Sequence, residues 1–183
     1  MPRIGLTTAS VVSTAIAVID SAGATTLTLS AVAERAGVAT PSLYKHVANL
    51  AELRRLVAVR VVGELTDRVS RAVMGRQGRE AIRAFLLAYR DYVIEHPQRY
   101  LAMPQAPNDD PDWMAASERL LAVLYAITSR CGMAETDAVH TIRALRAVAH
   151  GFSVLQVSGA FQLAEDIDTT YDRLITTVTA LVP

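Results

Sequence analysis

Cysteine, lysine and long apolar runs are nearly missing from this sequence, and each absence excludes something. A single cysteine, Cys131, in 183 residues leaves no intramolecular disulfide framework and fits a reducing compartment. Lys45 is the one lysine among 18 basic residues, an arginine and alanine bias of the kind a GC-rich genome produces. No stretch approaches the roughly 18 uninterrupted apolar residues of a membrane span. The first ten residues carry Arg3 as their one charged side chain and no apolar segment leading to a cleavage site, so no secretory signal is expected. A cytoplasmic protein without membrane contact is the expectation.

Chemistry-bearing motifs are missing too. There is no Glu-x-x-His pair for a di-iron centre, no glycine-rich phosphate loop and no nucleophile elbow. His140 and His150 stand ten residues apart, whereas helical metal ligands are spaced i, i+4. An enzyme housed in a helical bundle, the main reading from another functional class, therefore finds no support. Neither catalytic residues, a metal nor a cofactor is expected.

What the chain does have is apolar residues at helical spacing. Hydrophobic residues make up 51%, enough to bury a large core. Net charge is zero, yet it is unevenly spread. Residues 1–60 hold six basic side chains against three acids, a net +3, and the remainder a net −3. A mildly basic head on an acidic body suits a DNA-reading module joined to a different domain.

The periodicity predicts an all-α chain of about nine helices. The first spans 7–22, capped by Thr7 or Thr8 and stopped by Gly23. Thr28 caps a second that ends at Gly37. A third begins with Thr40 as N-cap and Pro41 at the first helical position, where the missing N–H costs nothing. Asn49, with Glu52 at capping-box spacing, starts a fourth running to 73. Further helices are expected at 79–96, 97–103, 112–131, 136–159 and 167–182, with a proline-rich loop over 104–111.

Residues 28–47, TLSAVAERAGVATPSLYKHV, are two short helices joined through Ala36-Gly37-Val38, the pattern of a DNA-binding helix-turn-helix. The second presents small hydroxyls at its N-terminus and longer donors beyond, which suits a helix entering the major groove end-first. Thr28, Thr40, Pro41, Ser42, Tyr44, Lys45 and His46 are the candidate DNA-binding residues. Thr40 has a second reading as a cap alone and His46 as an ordinary surface residue. Tyr44 is expected to pack its ring on the first helix while its hydroxyl meets phosphate. The N–H groups starting the fourth helix are a further anion site.

With Ala36-Gly37-Val38 followed by Leu43-Tyr44-Lys45-His46-Val47, the stretch from Leu6 to about Leu56 resembles the TetR-family DNA-binding domain. Val47 stands where many members have Phe, and Leu50 where many have Lys. His150-Gly151-Phe152, with Gly159-Ala160-Phe161 following, resembles a Trp-His-Gly C-terminal subclass, though Ala149 occupies the tryptophan position. The resemblance implies a DNA-binding domain over 1–50 and a C-terminal ligand-binding and dimerisation domain over 51–183, joined by the helix at 51–73. It implies a homodimer that binds an inverted-repeat operator in double-stranded DNA, as a repressor released by a small, largely apolar effector.

Tyr89, Tyr92, Met103, Trp113, Tyr125 and Phe152 are as a group the candidate lining of an effector pocket, with the proline-rich loop as its gate, while any single one reads first as core. The stripe Ile142, Leu145, Ala149, Phe152 and Leu155, with Tyr171, Leu174, Ile175, Val178 and Leu181, is the candidate dimer face in helices 136–159 and 167–182. The same stripe could also bury within one subunit. A dimeric regulator with a packed, ligand-free body, controlled by abundance or a protein partner, is the alternative that sequence leaves open.

Overall fold

The computed structural model describes residues 6–103, 110–180 and 182. Arg3, residues 104–109 of the predicted loop and Leu181 lie outside them. The described secondary structure is all helical: α1 (Thr8–Ala22), α2 (Leu29–Ala36), α3 (Leu50–Val73), α4 (Gly78–Glu95), α5 (Pro97–Leu101), α6 (Pro111–Ser129), α7 (Glu135–Val157) and α8 (Ile167–Thr179), with short 3-10 segments at Ala24–Thr26 and Thr40–Lys45. Each of the nine predicted helices is present. The third differs in kind, being a six-residue 3-10 segment rather than an α-helix. No helix among the described residues is long and apolar enough to cross a membrane.

The chain divides into two compact units, Met1–Val62 with His96–Met114, and Gly63–Glu95 with Ala115–Pro183. In the first, Val11, Ala15 and Ile19 of α1, Val32 of α2, Leu43 of the 3-10 segment and Leu53 of α3 are all sealed from solvent. Burial of each Leu or Ile contributes about 1.5–3 kcal/mol. Thr7 caps α1 in a reciprocal box with Ser10, and Gly23 ends it at φ 88°. Arg99 of α5 pairs with Asp20 of α1, and Tyr100 is buried.

In the second unit α4 is the central element, packing on α7 and α8. Ile82, Phe85, Leu86, Tyr89, Tyr92 and Val93 of α4 are buried. So are Ile142, Leu145, Ala149 and Phe152 of α7 and Tyr171, Ile175 and Val178 of α8. Most of the stripe offered as a dimer face therefore belongs to the subunit's own core. Among the described members Leu174 is half-buried and Leu155, 47% exposed, is left on the surface.

Gly63 sits inside α3, and a Cβ built there meets only Arg119 Nη2 at 3.7 Å, an ordinary contact. Packing does not require glycine, and a helix-interior glycine costs about 1 kcal/mol relative to alanine. Gly63→Ala is expected to raise stability by about 1 kcal/mol, or roughly 2–4 °C in Tm for a chain of this size. Urea denaturation of the two proteins checks it.

Candidate nucleic-acid interface

The turn between α2 and the 3-10 segment is built by a backbone that only glycine adopts readily. Gly37 sits at φ 67°, ψ 33° in the left-handed region, with open space where a Cβ would lie. Conformation, not crowding, selects the residue. Val38 N–H donates to Ala33 O at 3.0 Å, and Gly37 N–H to Glu34 O at 3.0 Å. This Schellman-type closure satisfies the last carbonyls of α2 and turns the chain.

The 3-10 segment then sorts its side chains by threes, because residues i and i+3 eclipse. Leu43 is fully buried, with Thr40 and His46 half-buried on the same register. Pro41 and Tyr44 share another register, and both are exposed, as is Lys45. Val47 seals the segment's end at 2% exposure. Thr8 Oγ1 donates to His46 O at 3.2 Å, tying the segment to the start of α1.

Three details depart from expectation, and Arg55 adds one that the sequence did not mark. Ala39, not Thr40, is the N-cap of the 3-10 segment, and no side chain caps it, so Thr40 does not cap. Tyr44 is 56% exposed, so its ring lies open rather than packed away. Asn49 Oδ1 accepts Glu52 N–H at 2.9 Å as predicted, but the Glu52 carboxylate accepts from Ala48 N–H instead of Asn49. That carboxylate occupies the start of α3, which weakens it as an anion site. Arg55 is engaged by Asp110 at 3.2 Å and Asp112 at 2.7 Å, which raises its guanidinium pKa above the ordinary value, chiefly through the Asp112 hydrogen bond.

Thr28 caps α2 by accepting Ala31 N–H at 3.1 Å. Its exposed hydroxyl still has a proton to donate. The outward set is thus Thr28, Pro41, Tyr44 and Lys45, with Ser42, Thr40 and His46 half-buried beside it.

The six candidate effector residues are dispersed. Met103 and Trp113 belong to the first unit and the others to the second. Tyr89 and Tyr92 are buried in α4, with Tyr89 5.9 Å from Phe85 ring to ring and Tyr92 Oη donating to Glu64 at 3.3 Å. Tyr125 is 41% exposed on α6. Phe152 lines a cleft of about 490 Å³ with Ala160, Phe161, Gln162, Leu163, Glu165, Ile167 and Thr170.

The segment joining α7 to α8 forms this cleft and ends in a strong cap. Asp166 accepts Thr169 N–H at 2.7 Å, and hydrogen bonds from Thr169 hold its carboxyl below the ordinary value. A depressed acid stabilises the fold above its unfolded pKa and loses that contribution as pH falls through the folded value. Acidification from pH 5 to 3 should therefore cost the wild type more stability than Asp166→Ala, read as converging urea midpoints.

A model of "Bacterial regulatory proteins, tetR family" matches residues 11–55, and one of "Tetracyclin repressor-like, C-terminal domain" matches 82–178. The HTH-type transcriptional regulator Rv0681 of Mycobacterium tuberculosis is 35% identical over 162 residues, 87% of this chain and 73% of that one. This chain belongs to the TetR family.

As a TetR-family member it is a DNA-binding transcriptional regulator, and its relatives are regulators rather than enzymes. The TetR-like fold recurs in a solved structure from Rhodococcus sp. RHA1, with TM-score 0.86 at 20% identity, covering 98% of this chain and 97% of that one. It recurs in TetR-Q116A from Acinetobacter baumannii AYE in complex with minocycline, with TM-score 0.69 at 21% identity and 96% of both chains. In this TetR chain Ala149 is fully buried, and His150 beside it is held below its ordinary pKa by burial and then by Arg146.

Sequence reasoning missed the Arg55 ion pairs, because Asp110 and Asp112 lie more than 50 residues away. It also missed the α7–α8 cleft. Its one signal was Phe161 and Leu163, two large apolar residues in a stretch otherwise rich in small and acidic ones.

Proposed function

We propose that this chain is a homodimeric repressor that binds an inverted-repeat operator and is released by a small-molecule effector in the cytoplasm. The observation that carries the DNA reading is the presentation of Tyr44 and Lys45 outward from a segment anchored by buried Leu43 and Val47. In this reading Thr28, Tyr44, Lys45 and His46 hold phosphates, while Thr40, Pro41 and Ser42 meet base edges. Two-fold symmetry supplies a second copy of the same set one helical turn away.

Dimerisation is assigned to the faces of α7 and α8 left outside the core, which include Ala147, Leu155 and Thr177, all exposed. The C-terminal unit is assigned to effector binding; the minocycline complex of the Acinetobacter neighbour supports a ligand site in this fold. Helix α3 contributes residues to both units and is the element an effector displaces. The ligand acts by binding the released conformation better than the DNA-bound one.

Fluorescence anisotropy with DNA upstream of the protein's own gene, against a scrambled duplex across a salt series, tests the reading. Preference for the upstream DNA with steep salt dependence supports it. Equal, weak binding to both duplexes and to a genomic fragment pool overturns it.

A further inference from the structure

We propose that the cleft at the α7–α8 connection binds an apolar organic cation. The inference rests on the effector reading above and names the ligand class and the site. The cleft, about 490 Å³, is lined by Phe152, Ala160, Phe161, Leu163 and Ile167, with Gln162, Glu165 and Thr170 as its polar members. Such a volume with a mostly apolar lining and few polar groups suits a small organic molecule. Two of its lining residues are aromatic, the Phe152 and Phe161 rings lying 4.8 Å apart, and Tyr171, outside the lining, backs Phe152 at 4.6 Å. Leu163 is 84% exposed, and an apolar guest would cover it.

The charge decides the class. Of the eight lining residues one is acidic, Glu165, and none is basic. The neighbouring acids are committed elsewhere. Asp166 caps α8, Asp168 binds Arg90 at 2.5 Å, and Asp172 binds Arg83 at 2.9 Å. Arg90 lies against Phe152, with its guanidinium carbon 5.7 Å from the ring centroid. It is 6% exposed, held by Gln156 and Asp168, and does not line the cleft. A guest therefore meets aromatic and aliphatic surface with one carboxylate at hand. A positive charge is matched there by Glu165 and by the Phe161 ring face, and a carboxylate ligand is repelled.

Isothermal titration of the full chain with tetraphenylphosphonium, and separately with tetraphenylborate, isolates charge at constant shape. The expected result is one saturable phosphonium site per chain and no measurable borate binding. Glu165→Gln, at an exposed position, is expected to weaken the phosphonium at least fivefold, and Phe161→Ala likewise. Absence of phosphonium binding overturns the proposal, as does equal binding of both ions, or binding unchanged in both variants. Operator anisotropy with added phosphonium keeps the two readings apart. Binding in the cleft without operator release upholds the site and sinks its identification with the effector site. Release that survives both variants upholds an effector and sinks this cleft.

Discussion

Replacing Tyr44 and Lys45 together with alanine is expected to lower operator affinity by at least about 100-fold without altering the fold. A hydrogen bond to a charged group contributes about 1.5–3 kcal/mol, and about 1.4 kcal/mol is tenfold in affinity. Two such hydrogen bonds at the lower bound, about 3 kcal/mol, reach that figure in one half-site alone, so about 100-fold is the floor for a dimer that loses them in both. Both side chains are exposed, so helical content and Tm should stay at wild-type values. Lys45→Ala alone should also flatten the salt dependence, by about 0.9 in log–log slope for each phosphate no longer neutralised. Tyr44→Phe, which deletes one hydroxyl, should show a smaller loss and an unchanged slope. If the double variant binds the operator as tightly as wild type, this segment is not the recognition element.

The second large effect is on stability. Arg90→Ala is expected to destabilise the protein by about 3 kcal/mol, or roughly 6–12 °C in Tm at about 2–4 °C per kcal/mol. Arg90 is a charged residue at 6% exposure, and its side chain is used along its whole length. Nε donates to Gln156 at 2.7 Å and Nη2 to Asp168 at 2.5 Å. The guanidinium carbon lies 4.8 Å from the centroid of the Tyr171 ring and 5.7 Å from that of Phe152. A desolvated cation–π contact contributes about 2 kcal/mol and each charged hydrogen bond a similar amount before desolvation is subtracted.

One side chain thus joins α4, α7 and α8. Tyr171 adds a parallel tie by donating its hydroxyl to Leu86 O at 2.8 Å, and burial raises that hydroxyl's pKa above its ordinary value. Asp168 is 78% exposed, so losing its partner strands no buried charge. The cost comes from weaker packing and missing donors. Arg90→Met should recover part of it by keeping the stem, and Arg90→Lys should fall between because it lacks the planar fork. Urea titrations of the four proteins rank them, and equal midpoints would contradict the account.

How much of this was legible beforehand follows from the range of the interactions. Local signals read well. Thr7, Thr28 and Asn49 cap their helices because a cap needs only the next three residues. Gly37 could be placed because a left-handed residue after a short helix leaves few alternatives to glycine. The helix-turn-helix was legible for the same reason, since its motif is compact. The 3-10 winding of Thr40–Lys45 was not, because six residues scarcely separate a period of 3.0 from 3.6.

Long-range facts did not read. A stripe such as Ile142, Leu145 and Ala149 looks identical whether it faces a partner or its own α4, and only the fold shows that it faces inward. Arg90 carries no sequence mark that distinguishes it from 16 other arginines, because Gln156 and Asp168 lie more than 60 residues on. The aromatics chosen for one pocket were chosen by residue type, and the structure divides them between two units.

The central claim is that two copies of the Thr40–Lys45 segment read DNA together. Selection of bound duplexes from a fully random pool by the purified full-length protein tests it without assuming where the operator lies. The account predicts enrichment of an inverted repeat whose half-site centres are about 10 bp apart or a multiple of that, abolished when Tyr44→Ala, Lys45→Ala protein is used. A pool that stays random after repeated rounds, or enrichment that the double variant reproduces, would contradict it.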